Sequence, residues 1–193
     1  ESLSEAERTW LDRQSFTGKP GQVAWLQDPA AVVVGWDGRQ SIATLGHLPT
    51  KLPEGRYSLD LELSDIALAG WGLRAYQYTR FKQADRDPAV LLIDAKQLPR
   101  VQNLVSATNL ARDLINTPAE DMGPPQLVAA VRRVGRAHGA KVSVITGDAL
   151  LKKNYPSIHT VGRAADRAPR LVDLRWGTRG PKVTLVGKGV CFD

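Results

Sequence analysis

Apolar and polar positions change period repeatedly along the first hundred residues, which predicts short helices and strands in alternation. Ser4-Glu-Ala-Glu7 has the Ser-x-x-Glu form of a capping box, and Trp10 and Leu11 follow at helical positions, so the chain opens on a short helix. Pro20-Gly21 and Asp28-Pro29 punctuate the next stretch. The β-branched run Ala31-Val-Val-Val34 is too short for a helix and predicts a buried strand, which Gly35-Trp-Asp-Gly38 turns around. A second strand is expected over 42–45. Between 57 and 63, Tyr57, Leu59, Leu61 and Leu63 alternate with Ser58, Asp60 and Glu62, the period of two that marks a half-buried strand. From Ser64 the period lengthens, and Ile66, Leu68, Ala69, Leu73, Tyr76 and Phe81 form a helical stripe with Ser64 or Asp65 as N-cap. Trp71, Tyr76, Tyr78 and Phe81 would suit base stacking, but aromatics at helical spacing are read as core. Asp87-Pro88 closes this helix, and 89–93 is a further buried strand.

The second half has longer elements. Residues 97–115 form one long helix, with Leu98, Val101, Leu104, Val105, Thr108, Leu110, Ala111 and Leu114 at repeated spacings of three and four. Pro118 stops it, because the residue before a proline avoids helical backbone, and Pro124-Pro125 starts the next helix, which runs to Gly139. A strand over 141–145, a short helix over 148–153, a strand over 171–176 and a terminal strand from Lys182 follow. The recurring β-α-β order predicts an α/β fold whose second region carries a mostly parallel or mixed sheet.

Composition narrows the class without naming a function. The 193 residues are 42% hydrophobic and 24% charged, as in a folded protein of one or two domains. No apolar run nears the roughly 20 residues that span a bilayer, and the first five residues do not resemble a secretory signal, so the expectation is a cytoplasmic protein with no membrane partner. Cys191 is the single cysteine, which leaves no intrachain disulfide and suits a reducing compartment. The net charge is +6. Part of it lies in Arg163, Arg167, Arg170, Arg175, Arg179 and Lys182, opposed by Asp166 and Asp173, and is read as a solvated or subunit-contacting surface. A structural or DNA-binding oligomer that uses this surface is the alternative function, although no zinc-finger spacing, RNP-like strand or long basic helix supports it.

The candidate chemistry gathers at the end of the chain. In Val183-Thr-Leu-Val-Gly-Lys-Gly-Val-Cys-Phe-Asp193 an apolar strand runs into a lysine between two glycines and then a carboxylate. Gly187 and Gly189 free the backbone for close approach to Lys188. In a regular strand Lys188 and Asp193 would face opposite ways, so a shared site requires a bend at or after Gly189. A phosphate loop is disfavoured because Gly189 stands where Ser or Thr would follow the lysine. His47, His138 and His159 are read as surface or core, since none has Asp, Glu or a second His at i+3 or i+4. Ser157 and His159 carry no motif of a nucleophilic triad.

Three blocks in order, Asn109-Leu-Ala-Arg-Asp-Leu-Ile-Asn-Thr-Pro118 with Pro124 and Leu127, Val161-Gly-Arg-Ala with Pro169-Arg-Leu171, and Leu185-Val-Gly-Lys-Gly-Val-Cys-Phe-Asp193, resemble the cytosolic leucyl aminopeptidase family, the M17 metallopeptidases. Ahead of them, Leu73-Arg-Ala-Tyr-Gln-Tyr-Thr-Arg-Phe-Lys82 looks like the late helix of that family's variable N-terminal domain. The resemblance implies a smaller N-terminal α/β domain over 1–98, a connecting helix over 99–117 and the beginning of a mixed-sheet α/β catalytic domain over 118–193. It also implies a homohexamer that acts on peptides with a free N-terminus through two divalent metal ions, Mn or Zn. On this resemblance Lys188 is a metal ligand and Asp193 bridges both ions, while the remaining ligands and the catalytic lysine and arginine lie beyond Asp193. No catalytic residue is then expected within these 193 residues, and the segment alone is expected to be inactive. Tyr155-Pro-Ser-Ile-His159 replaces a stretch that is usually glycine-rich, and Glu120 stands where asparagine is usual.

Overall fold

The computed structural model describes residues 3–27 and 30–191. The chain divides into two compact units, Glu1–Arg112 and Asp113–Asp193.

The first unit opens with α1, Glu5–Arg13, and both bonds of the expected capping box form: Ser4 Oγ accepts from the Glu7 amide, and the Glu7 carboxylate accepts from the Ser4 amide at 2.7 Å. Strands β1, Val23–Gln27, and β2, Ala30–Val34, pair antiparallel, with Trp25 opposite Val32. The sequence reading missed β1, whose Ala24 and Leu26 alternate inward against Leu11 of α1. The Gln14 side chain acts as a one-residue strand partner: its Nε2 donates to the Trp25 carbonyl at 2.8 Å and its Oε1 accepts from the Trp25 amide at 3.0 Å. The Asp28-Pro29 break lies outside the described residues.

Residues 42–45 are not a strand. They enter a short helix, α2, Ala43–Gly46, because the Ser41 amide donates to Thr44 Oγ1 and the Ala43 amide donates to Ser41 Oγ, closing a local turn. Helix α2 crosses α3, Asp65–Arg74, where Gly70 leaves no room for a methyl group beside the Ile42 carbonyl. Between these helices lies β3, only Arg56–Tyr57, paired parallel with β4, Val90–Leu91. The expected strand over 57–63 shrinks to this stub. Tyr57, Leu59 and Leu63 reach the core by packing on α3 without a ladder, and Leu61 is half exposed. The run 89–93 likewise pairs only at β4, where the Val90 amide donates to the Gly55 carbonyl and the Leu92 amide to the Tyr57 carbonyl, both at 2.8 Å.

Helix α3 stops at Arg74, well short of Phe81. Trp71 is core, as expected, and its Nε1 donates to the Ala89 carbonyl at 2.8 Å; Phe81, in the loop beyond, is exposed instead. The loop is tied back by Arg86, whose guanidinium donates to the carbonyls of Leu52 and Thr50. The long helix is α4, Leu98–Asn116, which packs on this unit through Val101 and Val105; Gly72 of α3 gives Val105 its space.

The second unit carries α5, Pro124–Ala137, with proline in its first turn as expected, then β5, Lys141–Thr146, the short α6, Ala149–Lys152, the helix α7, Pro156–Gly162, and β6, Arg170–Arg175. Strands β5 and β6 pair antiparallel, with Val144 opposite Val172, within a region expected to carry a mostly parallel or mixed sheet. Two helices intervene, and the antiparallel return places Val142 and Leu174 against Gly135 of α5. Residues 182–191 form no strand. Val183, Leu185 and Val186 are 80%, 92% and 93% exposed, and among the described residues no strand edge pairs with them, so apolar content alone does not make this stretch a buried element. Among the described residues no helix is long and apolar enough to cross a membrane.

Candidate metal centre

Residues Gly187, Lys188, Gly189, Val190 and Cys191 line one side of a groove of about 810 Å³ in the second unit. The opposite walls are apolar side chains of α5 and α7, among them Leu127, Val131, Ile158 and Val161. Gly189 fits against α5: a methyl group there would sit 3.4 Å from Leu127 Cδ2, an ordinary contact. Gly187 faces open space. The lysine between them is exposed, and among the described residues no carboxylate forms an ion pair with it.

Two loops brace the groove. The Arg167 guanidinium donates to the carbonyl of Ala119 at 3.2 Å and to that of Glu120, binding the turn after α4 to the loop before β6. Glu120 takes part through its backbone oxygen, so the departure from asparagine at this position leaves the clamp intact. Gly123, the N-cap of α5, has the Arg167 side chain directly over its Cα, and its amide donates to Gln126 Oε1 at 3.2 Å. The Tyr155-Pro-Ser-Ile-His159 departure becomes the start of α7. The sequence reading missed that helix, although Pro156 at its first turn is a start signal.

Donor chemistry tests whether these residues hold a metal. Lys188 supplies one nitrogen once deprotonated, and Asp193 lies outside the described residues. Among the described residues no three His, Cys, Asp or Glu side chains converge as a metal set. Lys188 by itself does not fit a dinuclear centre, and no reaction step follows from it alone. His159 meets Asp148, Nε2 to Oδ1 3.2 Å, across a turn rather than along a helix.

Comparison with known proteins supplies the wider frame. Residues 1–94 match the M17 aminopeptidase N-terminal domain, and residues 109–193 match the catalytic domain of the cytosol aminopeptidase family. A probable cytosol aminopeptidase of Rhodococcus opacus is 34% identical over 163 residues, covering 72% of this chain and 32% of the relative. One from Streptomyces griseus is 42% identical over 92 residues, covering 47% of this chain and 18% of the relative. The crystal structure of the cytosol aminopeptidase from Coxiella burnetii superposes with a TM-score of 0.82 at 33% identity, over 91% of this chain and 40% of that one. The bottromycin maturation enzyme BotP, solved in complex with Mn, shares the fold at a TM-score of 0.70 and 22% identity, over 90% of this chain and 42% of that one. The chain thus spans about a third of the length of the curated relatives it matches. With both domain types present in order and the Gly-Lys-Gly block intact, the chain belongs to the M17 cytosol aminopeptidase family, covering its N-terminal domain and the first part of its catalytic domain.

Proposed function

We propose that the whole protein to which these residues belong is a metal-dependent aminopeptidase that removes residues such as leucine from the free N-termini of peptides. The observation that carries this reading is the ordered pair of family domains along one chain, 1–94 then 109–193. In this reading residues 1–98 are the N-terminal domain, 99–117 the connecting helix and 118–193 the beginning of the catalytic domain. Lys188 and Asp193 are two ligands of a centre of two divalent ions, Mn or Zn, that residues outside this sequence complete. Bound there, two cations would acidify a shared water and polarise the scissile carbonyl. The chain's own part is to present the Lys188 amine on a glycine-flanked stretch held against α5. The solved BotP complex with Mn supports a metal in this fold, and a cytoplasmic homohexamer is part of the same proposal.

The test is turnover of aminoacyl anilides by the full-length protein, before and after chelation. Activity should vanish with the metal and return with Mn²⁺ or Zn²⁺, and Lys188→Ala should weaken metal retention by at least about tenfold. Turnover indifferent to chelation would overturn the reading.

A further inference from the structure

We propose that His47 is an acid-sensitive joint of the first unit: the turn after α2 accommodates its imidazole only without charge, so the unit loses stability when the ring takes up a proton. The inference concerns the first unit alone and does not rest on the metal reading.

His47 caps the C-terminal end of α2, in the segment that seats this helix on the larger core. Leu45 before it and Leu48 after it are buried, and Pro49 and Leu52 follow as two of the most deeply buried side chains. The Ala89 amide donates to the Pro49 carbonyl at 3.0 Å, which ties the same turn to the start of β4. Neighbours and backbone thus hold the ring where it is. Its Nε2 is buried and has no hydrogen-bond partner among the described residues. An uncharged nitrogen there forgoes one hydrogen bond, whereas a protonated one is a buried charge without an acceptor, which costs far more.

The surroundings do not offset that charge. Residues 40–53 include no Asp or Glu, and α2 carries no charged side chain. Lys51, in the turn itself, donates its Nζ to the Gly21 carbonyl at 3.1 Å, which fixes the ammonium in place near Lys19. Arg86 reaches in from the loop after α3 to the carbonyls of Leu52 and Thr50. On α3, the Arg74 stem comes 3.5 Å from where a methyl group on Gly46 would sit, and Asp65, at the far end of that helix, is held by Arg100. The carboxylates on the adjoining loops have other partners: Asp37 accepts from the Arg39 amide, Glu54 from the Asp87 amide, and Asp85 pairs with Lys82. Among the described residues none forms an ion pair with His47.

Burial of the ring, and after it the Lys51 ammonium, hold His47 below the ordinary histidine range, while a main-chain hydrogen bond at Ala43 works the other way. A ring with a lower midpoint folded than unfolded is protonated first in the unfolded chain. Stability therefore begins to fall as pH drops through the unfolded value, about 6.5, and the loss is complete below the folded midpoint. His47 is the one histidine of the first unit, since His138 and His159 belong to the second. Carboxylates titrate near pH 4, so a loss between pH 7.5 and 5.5 in the first unit belongs to His47.

Urea unfolding of the 193-residue chain, followed by tryptophan fluorescence, reads mainly the first unit, which holds four of the five tryptophans, the buried Trp71 among them. From pH 7.5 to 5.5 the wild-type unfolding constant should rise, by up to about tenfold for an unfolded value of about 6.5. His47→Gln should remove most of that rise, and the double variant His138→Gln/His159→Gln should keep it. As a second readout, independent of how well His47→Gln folds, the single ring resonance left in the double variant should titrate below about pH 6.5. A rise that His47→Gln retains, a rise lost in the double variant, or a ring midpoint at or above about 6.5 would each overturn the proposal.

Discussion

A methyl group on Gly70 would overlap the carbonyl oxygen of Ile42, a backbone atom that cannot rotate away. Gly70→Ala therefore sets two effects against each other. Alanine favours a helix over glycine by about 1 kcal/mol, whereas forcing α2 and α3 apart is overpacking at about 1–3 kcal/mol. The clash is with main chain in a region where Ala67, Leu68, Ala69 and Trp71 are buried, so it wins. We expect Gly70→Ala to lower the stability of the first unit by about 1–2 kcal/mol, read from the shift of its urea midpoint. A neutral or stabilising result would show that α2 can slide, and the close crossing would not be a constraint.

Between elements, α3 and α4 are joined by charge at their N-terminal ends. Asp65, in the first turn of α3, accepts from Arg100 Nε at 2.5 Å and from Gln97 Nε2 at 3.0 Å. The Arg100 bond is the main reason the Asp65 carboxyl is held below the usual aspartate range, and Arg100 is raised in turn. A carboxyl with a lower pKa folded than unfolded contributes fully above its unfolded value, about 3.9, and loses that contribution as pH falls through the folded pKa. The stability difference between wild type and Asp65→Asn should be constant near neutral pH and shrink below about pH 4. A difference that is flat down to acid unfolding would count against the pair. Neither this link nor the contact of His159 with Asp148 was legible in the sequence, because the partners lie 35 and 11 residues apart. What was legible is local: the Ser4–Glu7 box, Pro124 at the start of α5, and the strand at β5. Helix α2 was misread because Ile42 and Leu45, three apart, suit a helix as well as a short apolar run suits a strand. The stretch 57–63 was misread because period two records which side chains turn inward and not whether a partner strand exists. The two glycines drew the reading to Lys188; the groove beside it was not legible, since α5, α7 and β6 reach it from separate stretches of sequence.

Across the whole molecule the two units differ in charge and in core. The first balances 13 Lys and Arg against 13 Asp and Glu, whereas the second has 13 against seven, so the entire +6 lies there. Among the described residues, both clusters of mutually packed buried side chains belong to the first unit, one around Leu48, Leu52 and Trp71 and one around Leu11. Among the described residues the buried apolar side chains of the second are Val128, Ala130 and Leu150. Segments with little buried apolar contact and exposed backbone open at the lowest free energy. The stretch from Trp176 to Val190 has both properties, and it carries Arg179, Lys182 and Lys188, each exposed. Limited trypsin treatment of the 193-residue chain should cut first after one of these three, before any of the 13 basic residues of the first unit, as read from intact masses over time. In the full-length protein, the proposed metal ligation by Lys188 predicts that Mn²⁺ or Zn²⁺ protects the same three bonds and that chelation exposes them again. First cleavage within the loop at Arg80 or Lys82 would instead place the least stable region in the first unit, despite its larger core.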